Sequence, residues 1–176
     1  MSTSIVFIGK VAPIVRGWGV YQQCMEFLLS RLNQGGWVNL FPEGRVNMDH
    51  SYIRFKWGVG RLVNDARSLP IVIPIFHIGM DKVLPNPRPG EKQTVLVRPG
   101  HLVTVNIGDP VNLGQVVEKL RRDRASEEER RKVITDVIED AMAELGRDTE
   151  KKHRENLEKW LGRWHDGRDL TMSIMT

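Results

Sequence analysis

Glu43 and Arg45 place a carboxylate and a guanidinium on either side of a glycine, in the stretch WVNLFPEGR of residues 37–45. A guanidinium can hold a phosphate group through two parallel hydrogen bonds. The carboxylate could accept a hydrogen bond from a ligand hydroxyl or orient the arginine, and Gly44 would let a ligand come close to the backbone. The pattern therefore suits a site for a phosphorylated ligand, although a plain surface turn with a local ion pair fits the same short sequence.

Arg16 is a second cation that follows an apolar run, in the stretch KVAPIVRG. Together with Arg45 it could clamp a single phosphate group. The alternative is an arginine solvated in a surface loop, because arginine side chains are mostly exposed in folded proteins. The sequence around Arg16 leaves both interpretations open.

The apolar pattern around these residues predicts alternating strands and helices, which is typical of the α/β class. Short apolar runs predict strands at Ser4–Ile8, Val11–Val15, Trp37–Phe41, Ile71–Phe76, Thr94–Val97 and Leu102–Ile107. Helical periodicity predicts helices at Val20–Asn33, Lys56–Ala66 and Leu113–Asp123, and the proline-rich stretch Leu84–Gly90 predicts a loop. Because open α/β sheets bind ligands at the carboxyl ends of their strands, we expect Glu43 and Arg45 at the edge of a sheet.

Four glycines lie at the end of the first predicted helix or inside the second. The pair Gly35 and Gly36 is expected to end the first helix. Gly58 and Gly60 lie inside the second helical pattern, where their small size predicts a close approach to a neighbouring element.

The C-terminal third predicts a long helix that opens at Ser126, where the S-x-x-E pattern has the form of a capping box. One apolar stripe consists of Val133, Ile134, Val137, Ile138, Ala141, Met142 and Leu145, and such a stripe is more typical of core packing than of a partner-binding face. A second stripe of Leu157, Trp160, Leu161 and Trp164 lies among Lys151, Lys152, Arg154, Lys159 and Arg163. A basic helix with two tryptophans suits a membrane interface and docking on the domain equally well.

Length and charge narrow the functional classes. The chain has 176 residues, which is enough for one domain of ordinary size, and its formal net charge is +4. Residues 1–67 carry 8 Lys and Arg against 4 Asp and Glu, whereas residues 68–176 carry 18 of each sign. A basic surface can bind nucleic acid, anionic lipid or phosphorylated small molecules. The absence of a dense basic run with interleaved aromatic residues disfavours nucleic acid.

Cysteine and histidine usage predicts neither a disulfide nor a metal site. Cys24 is the single cysteine, and it is expected to pack as a small hydrophobic residue on a helix. No Cys or His grouping has the spacing of zinc ligands. The longest uncharged stretch around the apolar run of residues 69–80 is Ser68–Met80, with 13 residues, which is too short for a transmembrane helix.

Several longer stretches resemble the tafazzin family of the glycerolipid acyltransferase superfamily. They are GKVAPIVRG, FPEGRVN, YIRFKWGVGRLV and LPIVIPIFHIGMDKVLPN, and the resemblance extends over roughly residues 8–145. PEG alone is a weak signal, whereas RFKWGVGRL together with HIGMDKVLPN is specific. The resemblance implies an α/β acyltransferase-like domain over residues 1–146, with a mixed sheet flanked by helices, and a basic amphipathic helical tail over residues 147–176.

The resemblance also implies a function. Proteins of this family are transacylases of mitochondrial membranes that move acyl chains between phospholipids and lysophospholipids, cardiolipin included, without acyl-CoA or another cofactor. By resemblance Arg16, Glu43, Gly44 and Arg45 would bind the glycerophosphate portion of the substrate. Pro70 and Pro74 would shape the acyl channel. The implied partners are phospholipids, lysophospholipids and the membrane surface, at which the protein would be peripheral, while self-association stays open.

The catalytic motif of the family, a histidine followed five positions later by an aspartate, is absent from these 176 residues. Five positions after His50, His77, His101, His153 and His165 stand Phe55, Lys82, Asn106, Glu158 and Leu170. We therefore assign no catalytic residue, and we expect the chain to begin after the catalytic block. A piece of a longer transacylase is favoured over a short form that only binds anionic lipid or a membrane protein.

Overall fold

The computed structural model of the chain describes residues 11–47, 51–85 and 97–165. Its elements, in chain order, are α1 (Gln23–Asn33), α2 (Gly58–Asp65), β1 (Ile75–Ile78), α3 (Met80–Val83), β2 (Thr104–Ile107), α4 (Gly114–Arg122) and α5 (Glu127–His165). The chain divides into two compact units. The first unit comprises Met1–Val72 and Pro110–Asp140, and the second comprises Ile73–Asp109 and Ala141–Thr176.

Helix α1 confirms the predicted helix and its glycine stop. Gly35 has a φ of +75°, in the left-handed region that favours glycine. Its N–H donates to the Leu32 carbonyl at 3.0 Å, and the Gly36 N–H donates to the Arg31 carbonyl at 2.8 Å. These two bonds form a Schellman motif, which satisfies carbonyl groups that the end of the helix would otherwise leave unpaired.

Helix α2 packs against the first part of α5 in the core of the first unit. Leu62 and Val63 of α2 are buried, as are Ile134 and Ile138 of α5. A Cβ atom at Gly60 would overlap the backbone of α5 at Arg131 and the hydroxyl of Thr135. The predicted close approach at Gly60 is therefore confirmed, and it brings the two helices to backbone contact.

Two arginines and a tyrosine join the helices of the first unit. Arg61 of α2 is only 4% exposed; its guanidinium donates to the Val20 carbonyl and Glu26, and to Asp65 at 3.0 Å. The guanidinium of Arg61 also lies 4.6 Å from the centre of the Tyr21 ring, and that of Arg131 lies 4.8 Å from it. Burial acts to lower the pKa of Arg61, but its two carboxylate partners outweigh that effect and raise it.

Helices α4 and α5 confirm the predicted C-terminal helices. The hydroxyl of Ser126 accepts a hydrogen bond from the Glu129 N–H at 3.2 Å, as the capping pattern predicts. Helix α5 then continues for 39 residues. Within its first apolar stripe Ile134 and Ile138 are buried, which confirms the prediction of a core face. In the second stripe Leu157 and Trp160 are half-buried and Leu161 is exposed.

The second unit contains a pair of antiparallel strands. Strands β1 and β2 pair in a register that runs from Ile75 opposite Ile107 to Ile78 opposite Thr104. On the C-terminal part of α5, Thr149 is fully buried and its hydroxyl accepts a hydrogen bond from the Asn106 side chain at 3.1 Å. The two strands and this part of α5 therefore pack through polar contacts, and the Phe76 ring also lies against Gly146.

Three of the predicted strands need correction. Val11–Val15 and Trp37–Phe41 form no strand, and Trp37 and Phe41 are 77% and 75% exposed rather than buried. The strand predicted at Ile71–Phe76 lies instead at Ile75–Ile78, and Ile71 is 79% exposed. Since Pro74 has no N–H to donate, the ladder begins only after it, although the Pro74 carbonyl accepts from the Gly108 N–H at 3.0 Å.

The predicted sheet is accordingly smaller than expected within the described residues, where it has two antiparallel strands. Leu102–Ile107 is confirmed as a strand with the shorter bounds Thr104–Ile107. The prediction for Ser4–Ile8 and most of those for Thr94–Val97 and Leu84–Gly90 lie outside the described residues.

Candidate functional site

The stretch Phe41–Gly44 forms a tight turn that presents the predicted ligand-binding residues. The Gly44 N–H donates to the Phe41 carbonyl at 3.0 Å, with proline at the second position of the turn, where its fixed φ is favoured. Gly44 has a φ of +68°, so it occupies a conformation that few other residues adopt without strain. We refer to residues 41–45 as the PEGR loop.

The PEGR loop carries one half-buried carboxylate and one exposed guanidinium. Glu43 is half-buried, whereas Arg45 is exposed at the end of the loop. The exposed Lys56 lies beside Gly44, where a Cβ atom would stand 3.4 Å from Lys56 Cγ and 3.7 Å from its Cε. Glu43 and Arg45 therefore lie at a turn rather than at the predicted sheet edge, since residues 37–41 form no strand, and Lys56 is a further cation that was not predicted. Arginine and lysine side chains at one loop suit a phosphate group.

Arg16 lies exposed in a separate turn that precedes α1. The Trp18 N–H donates to the Val15 carbonyl at 3.4 Å, and Gly17 has a φ of +86°. The side chain of Gln22 holds this segment, since its oxygen accepts from the Val15 N–H at 2.9 Å and its nitrogen donates to the Gly19 carbonyl at 2.8 Å. The shared role of Arg16 and Arg45 in binding one phosphate stays a prediction.

Pro70 and Pro74, the predicted acyl-channel residues, differ in their surroundings. Pro70 is half-buried in the first unit, and Pro74 is buried directly before β1 in the second. The structure gives Pro74 a local role, because it delays the start of the β1 ladder. A role in shaping an acyl channel stays a prediction for both residues.

A buried carboxylate stands behind the segment that follows the PEGR loop. Glu139 of α5 is 7% exposed, and its Oε1 accepts hydrogen bonds from the Tyr52 hydroxyl and, at 3.3 Å, from the Phe55 N–H. The hydrogen bond to Glu139, with a further contribution from desolvation, raises the pKa of Tyr52. The phenol therefore stays protonated and able to donate at neutral pH.

Glu139 was not among the predicted site residues, although the sequence carries a signal for it. Arg131, Thr135 and Glu139 follow one another at intervals of four residues, next to the apolar stripe of α5, and all three are buried. A polar row at helical spacing beside an apolar stripe indicates polar groups that the helix carries into the core. Such groups need partners, and Glu139 finds its partners in Tyr52 and Phe55.

An open cavity of about 440 Å³ adjoins this carboxylate, lined by Tyr52, Arg54, Asp136, Glu139 and Asp140. Arg54 contacts Asp136 at 3.5 Å, and Lys132 contacts the same carboxylate at 2.6 Å. Three carboxylates against one guanidinium in the lining disfavour an anionic ligand. This cavity is therefore an unfavourable place for a phosphate group.

Neither Cys24 nor His153 offers a free catalytic group. Cys24 is buried, as predicted, and burial raises the pKa of its thiol, which disfavours the nucleophilic thiolate. His153 is half-buried, and its Nδ1 lies 2.9 Å from the hydroxyl of Thr104. Cys24 and His153 are therefore not assigned a catalytic role.

Comparison with known proteins finds similarity to acyltransferases in the segment that contains the PEGR loop. Residues 3–78 match the family described as acyltransferase. The chain is 42% identical over 147 residues to tafazzin of Drosophila melanogaster, which covers 84% of this chain and 38% of that protein. It is 37% identical over 116 residues to taffazin of Dictyostelium discoideum, which covers 64% of this chain and 39% of that protein.

A third similar protein has a different name. The chain is 38% identical over 104 residues to N-acylphosphatidylethanolamine synthase of Arabidopsis thaliana, which covers 58% of this chain and 37% of that protein. The chain thus spans 37–39% of the length of these three relatives. Among the helices of the described residues, none has the length and apolar character needed to cross a bilayer.

Proposed function

Because residues 3–78 match the acyltransferase family and the chain is similar to tafazzins, we propose that the protein is a phospholipid–lysophospholipid transacylase. Its substrates would include cardiolipin, and it would act at the surface of a mitochondrial membrane. The name of one relative refers to N-acylphosphatidylethanolamine, which is an acylated phospholipid. The observation that carries the proposal is the PEGR loop, which carries Glu43 and Arg45 and has Lys56 packed against its Gly44.

The proposed reaction exchanges one ester for another. The free hydroxyl of a lysophospholipid attacks the acyl carbonyl of a donor phospholipid, the new ester bond forms, and the donor leaves as a lysophospholipid. The hydroxyl proton passes to the leaving oxygen by way of a base. None of the five histidines is followed by aspartate at the family spacing, so that base is not assigned to any of them.

The residues of this chain would bind and orient the substrates. Arg45 would hold the phosphate group with two parallel hydrogen bonds, and Lys56 would add a second positive charge. Glu43 would accept a hydrogen bond from a glycerol hydroxyl or orient Arg45. Arg16 would add a cation from its separate turn. Fixing the phosphate in this way holds the attacking hydroxyl near the acyl carbonyl, which lowers the entropic part of the barrier.

Acyl transfer in mixed vesicles tests this function. Labelled phosphatidylcholine would be the donor and monolysocardiolipin the acceptor, with the purified 176-residue chain and two variants compared. If the wild-type chain transfers acyl groups, we expect Arg45→Ala to lower transfer at least tenfold, a loss of about 1.4 kcal/mol of transition-state stabilisation. Arg67→Ala, which removes another exposed arginine of the first unit, is the matched control and should leave transfer within about twofold.

The outcomes separate the candidate functions. Transfer that is lost in Arg45→Ala and kept in Arg67→Ala would support the transacylase and the role of the loop. Transfer that both variants retain would remove Arg45 from the site. Folded, vesicle-bound protein without any transfer would contradict an enzymatic role for this chain and leave lipid binding as its activity.

A further inference from the structure

We propose that Glu139 is a positioning residue for the PEGR loop. From helix α5 it fixes the segment Tyr52–Lys56, and this segment in turn fixes the loop. The inference rests on the proposed function, which assigns the loop to the phosphate group of a phospholipid. Glu139 touches no substrate in this role, and it acts through the geometry of Arg45 and Lys56.

The first step joins α5 to the segment Tyr52–Lys56. A single carboxylate oxygen of Glu139 accepts hydrogen bonds from two points of the segment, the Tyr52 hydroxyl and the Phe55 N–H at 3.3 Å. The ring of Phe55 is buried as well, so the segment is held by apolar packing and by directed polar contacts. Apolar packing alone is not directional, whereas two hydrogen bonds to one atom fix where the backbone runs.

The second step joins this segment to the loop. Lys56 follows Phe55 directly, and its N–H donates to the Pro42 carbonyl at 2.8 Å. The stem of its side chain then lies against Gly44, within 3.4 Å of the point where a Cβ atom would stand. The turn of the loop and the adjacent lysine are therefore both placed by the residue next to the one that Glu139 holds.

The chemistry of Glu139 favours a positioning role over simple packing. Burying a carboxylate is unfavourable unless hydrogen bonds compensate, and an apolar side chain could fill the same volume without that penalty. Binding loops work when a rigid element holds their geometry. Glu139 supplies that rigidity from a helix whose neighbouring residues Ile138 and Thr135 are buried in the core.

Amide hydrogen exchange tests the chain of contacts without any need for activity. In Glu139→Ala we expect the amides of Lys56 and Gly44 to exchange at least about tenfold faster than in the wild type, because local opening of the segment becomes easier. The Gly36 amide, which donates to Arg31 at the end of α1, should not change and serves as the internal reference. Unchanged exchange at both Lys56 and Gly44 would overturn the inference.

Three further variants separate positioning from general instability. Glu139→Gln keeps an oxygen that can accept from the Phe55 N–H, so it should restore most of the protection. Tyr52→Phe removes one donor from an exposed residue, and it should give an intermediate effect even if Glu139→Ala does not fold. Asp140→Asn removes the neighbouring exposed charge and should leave the exchange at Lys56 and Gly44 unchanged.

Binding of a short-chain lysophosphatidylglycerol, below its micelle concentration, connects the contacts to the substrate. The Kd should rise about tenfold in Glu139→Ala, less than about threefold in Glu139→Gln, and not measurably in Asp140→Asn. If the wild type also transfers acyl groups, KM for the acceptor should rise while kcat stays within about threefold. A purely structural role would instead lower the fraction of active protein at unchanged Kd.

The two proposals can fail separately. If the wild type does not bind the lipid, the assignment of the loop to a phosphate group is wrong, and exchange at Lys56 and Gly44 still decides whether Glu139 holds the loop. If the wild type binds the lipid and Glu139→Ala binds it equally well, the positioning role is wrong and the proposed function stands.

Discussion

Gly44 shapes the turn of the PEGR loop, and the side chain of Lys56 packs beside it. The positive φ of Gly44 turns the chain back on itself, and the stem of Lys56 fills the space beside it. A residue with a Cβ atom would be strained at this φ, whereas its Cβ atom would stand at an ordinary contact distance of 3.4 Å from Lys56 Cγ. Glycine is therefore favoured here by the conformation of the turn.

Replacing Gly44 by alanine should reduce ligand binding more than its effect on stability explains. We expect a loss of about 1 kcal/mol in the free energy of unfolding from the positive φ. We also expect weaker binding of short-chain lysophosphatidylglycerol, measured by titration calorimetry on fully folded protein, because relief of the strained φ would shift the turn that carries Arg45.

Gly19→Ala is the matched control for this prediction. Gly19 has a φ of +72° and open space where a Cβ atom would stand, so its variant should lose similar stability and keep its affinity. Equal affinities for the two variants would show that the conformation of the turn at Gly44 has no part in binding.

The sequence predicted the residues of the loop but not the support behind it. Glu43, Gly44 and Arg45 lie in one continuous stretch, so their proximity is a local property that a motif can carry. Glu139 is separated from Phe55 by more than 80 residues, and its contact depends on how α5 packs. The spacing of Arg131, Thr135 and Glu139 indicated buried polar groups, but only the packed structure identifies their partners.

At the scale of elements, helices were predicted better than strands. The periodicity of α1, α2, α4 and α5 depends on neighbouring residues alone, as do the glycine stop after α1 and the cap at Ser126. A strand also needs a hydrogen-bonding partner elsewhere in the chain, which an apolar run cannot specify. Val11–Val15 and Trp37–Phe41 have the composition of strands, but they lack ladder partners among the described residues.

The contact between α2 and α5 at Gly60 predicts a large loss of stability in Gly60→Ala. The added Cβ atom would meet the backbone of α5, which cannot move as a flexible side chain could. We expect a loss of about 2–3 kcal/mol in the free energy of unfolding, measured by urea denaturation. Gly162→Ala, in α5 with open space around it, should be neutral or gain up to about 1 kcal/mol.

A loss below about 0.5 kcal/mol in Gly60→Ala would contradict this packing, since that is the range of ordinary surface substitutions. The same two variants also report on how the helices are arranged. If α2 and α5 are at backbone contact, an added methyl group is unfavourable at Gly60 and harmless at Gly162.

The contact between β2 and α5 predicts a pH-dependent contribution from Asp148. Its carboxylate accepts hydrogen bonds from Lys152 at 2.7 Å and Asn106 at 3.1 Å, and these partners hold the pKa of Asp148 below its ordinary value of 3.8. A pKa that is lower in the folded state stabilises the fold above the unfolded pKa, and the contribution is lost as pH falls through the folded pKa.

Asp148→Asn should therefore be less stable than the wild type near neutral pH, and the difference should shrink as pH falls below about 4. Urea midpoints measured from about pH 6 to about pH 2.5 give this difference directly. Glu144→Gln removes another exposed carboxylate of α5 and is the control, with a smaller and flatter difference expected. A difference for Asp148→Asn that does not change with pH would contradict the role of this carboxylate.

At the scale of the whole molecule, the uneven charge along the chain bears on the proposed membrane surface. The excess of Lys and Arg lies in residues 1–67, where 8 cations face 4 anions. Residues 141–165 of α5 include the basic stretch noted in the sequence, but their 6 Lys and Arg are nearly balanced by 5 Asp and Glu. Net attraction to an anionic membrane is therefore expected from the first stretch rather than from the end of α5.

Deleting residues 148–176 would be a poor test of which part binds a membrane. Thr149 is fully buried and contacts Asn106, and Asp148 and His153 also contact β2. A deletion would remove these packing residues together with the charges. Substitutions of exposed cations leave the packing of the second unit in place.

Vesicle sedimentation with paired substitutions separates the two stretches. Binding of the wild type to vesicles of phosphatidylglycerol and phosphatidylcholine should weaken steeply as salt rises from about 50 to about 200 mM, because screening shortens the reach of surface charges. Each exposed cation near such a surface contributes about 1 kcal/mol, so Arg16→Ala with Arg45→Ala should weaken binding at least about tenfold. Lys151→Ala with Arg154→Ala removes two exposed cations from the balanced stretch and should weaken it less than about threefold. A larger loss from the second pair would place the lipid-binding surface on α5 and would separate membrane attachment from the PEGR loop.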